Sequence, residues 1–236
     1  MMKEKEHIDE ILSKHSEFEC QNLSSSVSSE EFINNQALFF DKESHWYASE
    51  ESRPGFTELR LQDIAFSPQK YLEEKHTDAL NILDVGTGSG VLIKYIEDAF
   101  QNICLHALDL SYNQLRIVQS QYPHVYTHQG DISSFVNPVA FDVIYCNACF
   151  GNFLNQTAAL KNMSNMLSNH GIIVISHPLG SDFVEHLHLS NKFIVPNTLP
   201  TSITEIQELI SDTKLIVSDL IDTKDLYICV LKKTVC

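Results

Sequence analysis
Basic residues are scarce in this chain. Of 236 residues, 16 are Lys or Arg against 31 Asp or Glu, so the formal net charge is −15. The only adjacent basic pair is Lys232-Lys233. A surface that grips phosphates carries a basic face, so nucleic acid and anionic membranes are not the expected partners. Long apolar runs are also missing, which excludes a membrane-spanning helix. The first residues, Met1 to Glu6, alternate charge and lead into Ile8, Ile11 and Leu12 at helical spacing. They carry neither the apolar stretch of a secretory signal nor the acid-poor bias of a transit peptide, so a cytoplasmic protein is expected. The six cysteines form no paired framework of the secreted kind. Cys146-Asn147-Ala148-Cys149 has no second C-x-x-C to complete a zinc site; even with His177 brought near, buried thiols are expected there, and no metal. Tryptophan occurs once, at Trp46, and repeats are absent.

What is present is a strand running into three alternating glycines. Asn81-Ile82-Leu83-Asp84-Val85 is followed by Gly86-Thr87-Gly88-Ser89-Gly90, then by Leu92, Tyr95, Ile96, Ala99 and Phe100 at helical spacing. Glycines in such a turn take positive φ and let a ligand lie against bare backbone, with the helix N-terminus behind it. A dinucleotide loop requires G-x-G-x-x-G, but here Val91 stands where its third glycine belongs. The run Asp84 to Gly90, with an acid just before the first glycine, instead resembles motif I of class I S-adenosylmethionine (SAM)-dependent methyltransferases.

Further matches follow in order. Ile103 to Asp109 reads as a second apolar strand ending in an acid, placed where nucleotide folds set a carboxylate to accept both ribose hydroxyls. Leu110 offers an apolar face to an adenine, while Ser111 and Gln114 have capping-box spacing. Gln129-Gly130-Asp131-Ile132 resembles the family's adenine-edge motif, with the acid accepting the exocyclic amine and its neighbour contributing a backbone N–H. Phe141 to Asn147 resembles the fourth-strand motif. The resemblance thus implies SAM as cofactor, held by Asp84, Gly86, Thr87, Gly88, Gly90, Asp109, Leu110, Asp131, Ile132 and Asn147. Asn147-Ala148-Cys149-Phe150-Gly151-Asn152 and Ser176-His177-Pro178-Leu179-Gly180 look like a branch of methyltransferase-like proteins of plastid-bearing eukaryotes and cyanobacteria.

The pattern predicts a Rossmann-like class I methyltransferase fold: a mostly parallel seven-stranded sheet with a C-terminal antiparallel hairpin and an N-terminal helical cap. Residues 1–36 read as a helix over 1–15 followed by a mobile Ser/Glu-rich segment over 20–31, and 37–236 as the catalytic domain with an N-terminal lid. Phe39, Phe40, Trp46 and Tyr47 are the lid's rings, although plain core packing would use the same residues. A helix is expected over 59–75, Gly171 is expected to cap the helix after the fourth strand, and Ser202 with Glu205 to cap another. Strands over 214–221 and 225–232 are joined too tightly to be parallel.

The function this implies is methyl transfer from SAM to a small-molecule acceptor. The alternatives are a SAM-binding regulator or scaffold without turnover, and a nucleotide-dependent oxidoreductase, against which the glycine spacing and the terminal hairpin argue. The base-methylating signature Asn-Pro-Pro-Tyr is absent after the fourth strand. His177 is the expected general base, its ordinary pKa lying near working pH. Asn147 is expected to meet the methionyl end of SAM or the acceptor, and Asn152 and Tyr145 are weaker candidates.

Overall fold
The computed structural model describes residues 13, 28–49, 55–72 and 79–234. Apart from Ser13, the helix expected over 1–15 lies outside the described residues, as does most of the 20–31 segment.

Five parallel strands follow one another: β1 (Leu80–Val85), β2 (Ile103–Asp109), β3 (Tyr126–Gln129), β4 (Phe141–Asn147) and β5 (Leu167–His177), with a helix in each connection except that from β3 to β4. Two further strands, β6 (Leu215–Thr223) and β7 (Leu226–Lys233), close the sheet in the order β3-β2-β1-β4-β5-β7-β6. β7 runs antiparallel to both β5 and β6. The expected fold is the observed one. Strand order reverses between β1 and β4, and in open sheets of this kind ligands bind beyond the carboxyl ends of the strands at that point. Asp84-Val85, Asp109, Gln129, Asn147 and His177 all lie at those ends.

Helices cover both faces and bury two apolar clusters. One face holds α4 (Ile93–Ala99) and α3 (Glu58–Phe66), whose Ile93, Ile96 and Ile64 are fully buried. Helix α5 (Tyr112–Gln121) follows β2, α6 (Gln156–Met166) precedes β5, and α7 (Gly180–Ser190) follows it. The short α8 (Ile203–Leu209) precedes β6.

Several local expectations give way to tertiary demands. The helix expected over 59–75 ends at Phe66; Pro68 lacks the N–H to continue it, and a 3₁₀ turn at Gln69–Tyr71 follows. Gly171 caps nothing. Helix α6 ends at Met166 and the chain passes directly into β5, with Gly171 inside the strand. A Cβ there would stand 3.0 Å from both Leu167 and the Phe141 carbonyl oxygen, so close packing explains the glycine. Ser202 accepts the Glu205 N–H as expected, but the Glu205 carboxylate reaches Thr201 N–H instead of returning to Ser202.

At the N-terminal side, α1 (Ser29–Lys42) and α2 (Ser44–Ala48) lead in. Helix α1 runs continuously across the 36/37 boundary expected between an N-terminal segment and the domain. It is fastened at two points. Gln36 donates from Nε2 to the carbonyls of Asn152 and Ile194, both at 2.9 Å. Asp41 accepts the Ser111 hydroxyl at 2.5 Å and the Asn113 N–H at 2.9 Å, acting as a second cap on α5.

Candidate active site
A cavity opens at the carboxyl ends of β1, β2, β4 and β5, and two kinds of wall enclose it. The first is built from the glycine turn and its acids. Gly86, Gly88 and Gly90 have φ of 61°, 55° and 84°, the left-handed region that glycine alone enters without strain. Their reasons differ. A Cβ on Gly86 would lie 2.5 Å from the Cys149 Cβ, whereas a Cβ on Gly88 would meet no protein atom within 4 Å. Gly86 is therefore required by packing, and Gly88 by the turn and the open space above it. Gly90 packs against Ile93, Val118 and Tyr122 behind the cavity and does not line it. The α4 helix begins only at Ile93, two residues beyond Val91, so turns rather than a long helix N-terminus face the cavity.

Asp84 is buried beneath the turn and accepts the Thr87 hydroxyl at 2.7 Å. Burial pushes its carboxyl up to about 7, with Asp109 adding and the Thr87 bond opposing. Asp109 accepts the Gly88 N–H and the Ser111 N–H, each at 2.8 Å. Desolvation raises it to about 6 against these bonds. One backbone donor on each oxygen orients the carboxylate and leaves lone pairs for the cavity. Leu110, Asp131 and Ile132 line the same side, with Asp131 accepting the Ser133 N–H at 2.7 Å.

Gln114 was legible only as a capping partner. Ser111 accepts its backbone N–H at 3.1 Å, but its side chain does not return to Ser111. It lies 2 % exposed on the cavity wall, with its Oε1 buried and unbonded among the described residues. A buried amide oxygen left in that state costs about 1–3 kcal/mol, and a polar ligand in the cavity would relieve it.

The second wall is aromatic. Phe40 and Tyr47 enter from α1 and α2, Phe56 from the turn before α3, Phe153 from the loop before α6, and Phe183 and Leu187 from α7. Burial holds the Tyr47 phenol above its ordinary range, so it stays neutral. Phe39 is core at 2 % exposure, and Trp46 packs against the same core. The four rings expected to act together are thus divided between wall and core. Phe56, Phe153 and Phe183 carried no local signal, since single aromatics in apolar surroundings read as core.

Between the walls stand Asn147, Ala148, Asn152 and His177. Ala148 has φ of 55° and its N–H donates to the Ser176 carbonyl at 2.8 Å, so the chain turns sharply as it leaves β4. Asn147 Oδ1 accepts the Ser176 hydroxyl at 3.1 Å, which leaves the amide N–H groups for the cavity. Asn152 is tied to the Ile194 carbonyl through Nδ2. His177 is 5 % exposed, and its Nδ1 accepts the Leu179 N–H at 3.1 Å. Desolvation lowers its pKa to about 3, which ill suits the general base expected of it. Tyr145 faces away, fully buried, donating to the Ala65 carbonyl at 2.5 Å. The thiols do not join His177: Cys146 Sγ meets Met163 Sδ and Cys149 donates to the Val85 carbonyl. Among the described residues no group of three or more His, Cys, Asp or Glu is placed to hold a metal ion, and no helix is long and apolar enough to cross a membrane.

Known proteins share this architecture. Residues 57–212 match a family model described as a methyltransferase domain. A malonyl-[acyl-carrier protein] O-methyltransferase of Halalkalibacterium halodurans is 30% identical over 165 residues, covering 64% of this chain and 60% of that protein. A second such enzyme, of Ilyobacter polytropus, is 24% identical over 166 residues, covering 67% of this chain and 64% of that one. The chain thus spans less than two thirds of the length of these relatives. Among solved structures, the plantazolicin methyltransferase BpumL, in complex with a pentazolic desmethylPZN analogue and SAH, superposes with a TM-score of 0.63 at 18% identity. That match covers 98% of this chain and 99% of the other.

Proposed function
Because this chain belongs to the methyltransferase-domain family, with S-adenosylmethionine as its cofactor, we propose that it transfers the SAM methyl group to a small-molecule acceptor. The observation that carries this reading is the pairing of the two walls: a glycine turn and oriented acids on one side, an apolar ring-lined chamber on the other, with both opening into one cavity. The cofactor supplies a methyl carbon already activated by the positive charge on sulfur. The residues present fit it. The open space over Gly88 receives it, and the unbonded Gln114 oxygen is a waiting acceptor.

In this reading Asp109 accepts the ribose hydroxyls, Leu110 and Ile132 flank the adenine, Asp131 takes its exocyclic amine, and Asn147 meets the methionyl end. Asp84, Gly86, Thr87 and Gly90 shape the loop from behind, and Gly88 leaves room for the ligand. The rings of the other wall hold the acceptor and keep water from the sulfonium. Residues 37–48 act as a cover, Phe40 and Tyr47 closing the chamber while Phe39 and Trp46 anchor the segment. The malonyl-carrier and plantazolicin relatives, together with the acidic charge balance, support a small acceptor over nucleic acid. Kinship with the plastid and cyanobacterial branch rests on the motifs after β4 and β5.

The test is calorimetric titration with SAM, SAH and NAD, followed by transfer of labelled methyl groups to a small-metabolite extract. Tight SAH binding and labelled products are expected. Preferential NAD binding would overturn the cofactor, and SAM binding without any transfer would overturn the enzyme. Protease sensitivity of residues 37–48 unchanged by SAH would remove the cover.

A further inference from the structure
Two amide side chains on the cavity wall are turned the same way. Gln36 on α1 donates from Nε2 to the carbonyls of Asn152 and Ile194, each at 2.9 Å, and to that of Phe193 at 3.4 Å. Asn152, in the loop before α6, donates from Nδ2 to the same Ile194 carbonyl at 2.9 Å. Exchanging oxygen and nitrogen in either amide would set oxygen against carbonyl oxygen, so these bonds fix both orientations. Ile194 is fully buried, and neither it nor Phe193 lines the cavity, whereas Gln36 and Asn152 both do. With each nitrogen pinned behind the wall, the planar amide carries its oxygen on the cavity side. Among the described residues neither oxygen has a hydrogen-bond partner.

The frame behind the two amides is fixed. Asn191 Oδ1 accepts the N–H groups of Phe193 at 3.0 Å and Ile194 at 3.2 Å, which holds the Ile194 carbonyl in place. The loop carrying Asn152 is held through Asn197, whose N–H donates to the Gly151 carbonyl at 3.1 Å and whose Nδ2 donates to that of Phe153 at 2.6 Å. A Cβ on Gly151 would stand 2.8 Å from Val184 Cγ1 and 3.0 Å from the Asn197 carbonyl oxygen, so the loop packs closely against both. Two oxygens held in this way have lone pairs to share and no proton to give, and they complement a group that donates. An anionic head without an N–H or O–H would meet their partial negative charges and leave them unbonded.

From this we propose that Gln36 and Asn152 determine acceptor specificity, holding an apolar compound by an N–H or O–H group that donates to Gln36 Oε1 and Asn152 Oδ1. This rests on the methyltransferase reading above. The rings enclose the body of the acceptor, and a hydroxyl, an amine or a ring N–H is the group the amides read. A carboxylate is selected against. Discrimination arises because an analogue lacking the donor leaves the two oxygens unpaired once water is displaced. Gln36 also fastens α1 to the loops after β4 and α7, so recognition of the acceptor and seating of the cover share one side chain.

The test titrates the SAH-loaded protein with matched compounds, followed by saturation-transfer NMR: 4-ethylphenol against 1-ethyl-4-fluorobenzene, indole against indene, and phenylacetate. The donor-bearing member of each pair should bind about three- to tenfold tighter, as one neutral hydrogen bond provides, and phenylacetate should bind most weakly. Asn152→Leu and Gln36→Met should bring both ratios toward one. A purely structural role would instead weaken both members of a pair alike and keep the ratios. Where Gln36→Met fails to fold, Asn152→Leu decides, since it leaves the bonds from Gln36 to Asn152 and Ile194 in place. Ratios near one in the wild-type protein, or ratios retained in a folded variant, would overturn the proposal while leaving methyl transfer standing. Phenylacetate binding as tightly as 4-ethylphenol, or no binding of either donor-bearing compound, would do the same. Failure of SAH to bind would overturn both.

Discussion
The two walls of the cavity are made in opposite ways. The glycine-turn wall comes from short contiguous runs, Asp84 to Leu92, Asp109 to Leu110 and Gly130 to Ile132, at the ends of three neighbouring strands. It is polar, held by backbone N–H bonds to fixed carboxylates, and its residues are legible from their spacing along the chain. The ring wall is gathered from α1, α2, the turn before α3, the loop before α6 and α7, from positions 40 to 187. On the proposed reading, the contrast teaches that a site for an invariant ligand is written as local backbone geometry. A site for a variable ligand is assembled from whichever apolar side chains the fold leaves facing the opening.

Substitutions can break or sharpen that contrast. The largest effect is expected at Gly86→Ala. Its added methyl would stand 2.5 Å from the Cys149 Cβ at φ +61°, and left-handed strain of about 1–2 kcal/mol joins overpacking of about 1–3 kcal/mol. Urea denaturation should show a loss on the order of 3 kcal/mol. Gly88→Ala, with the strain but no clash, should lose only about 1–2 kcal/mol of stability while SAM affinity falls sharply. Equal stability losses in the two variants would refute the division of roles.

Asp109→Ala should weaken SAM binding by about 2–4 kcal/mol, two charge-assisted bonds with partial recovery by water. It should also loosen the turn, because Gly88 N–H and Ser111 N–H lose their partner. Titration calorimetry on a variant shown to be folded checks this, and an unchanged Kd would remove Asp109 from the cofactor side. On the other wall, Phe40→Ala should raise the acceptor KM by about tenfold, as expected for loss of a buried ring contact, and leave the SAM Kd within error.

The acids also predict a pH dependence. Asp84 and Asp109, pushed up to about 7 and about 6, are partly protonated in the free protein near neutrality. A cationic ligand favours their ionised forms, so binding should release protons and SAM affinity should rise between about pH 5.5 and 8. Calorimetry in buffers of different ionisation enthalpy reads the proton count. Stability runs the other way for these two groups: a raised carboxyl contributes most at low pH, and that contribution is lost as pH rises through about 6 to 7. His177, lowered to about 3, opposes them, since its contribution is complete above about 6.5 and is lost as pH falls toward 3. His177→Phe should therefore shift the stability maximum of the free protein to lower pH, as thermal melts across pH 4 to 8 would show.

The smallest effect is expected at Asp41→Ala. It removes the second cap on α5 and the tie from α1, a cost of about 1 kcal/mol with little change in SAM affinity.

Legibility followed the range of the forces involved. Glycine spacing, strand-end acids and the tight β6–β7 connection are local constraints, and they located one wall and the sheet order's closing hairpin. Gly171 misled because a helix cap and a strand glycine pressed against Leu167 look alike in sequence. Gln114 misled because its backbone obeys the capping rule while its side chain goes elsewhere. His177 was found as a site residue, but its protonation depends on a bond from Leu179 N–H and on burial by Phe56 and Phe183.

By itself, then, the sequence determined the parallel sheet, its closing hairpin and the glycine turn with its acids, because each follows from steric and hydrogen-bonding demands within a few residues. The tertiary structure decided which rings form the chamber, which helix covers it, and whether a histidine gives or takes a proton. Those outcomes depend on desolvation and on contacts between residues more than a hundred positions apart, such as Gln36 with Asn152 and Ile194, which no local pattern encodes.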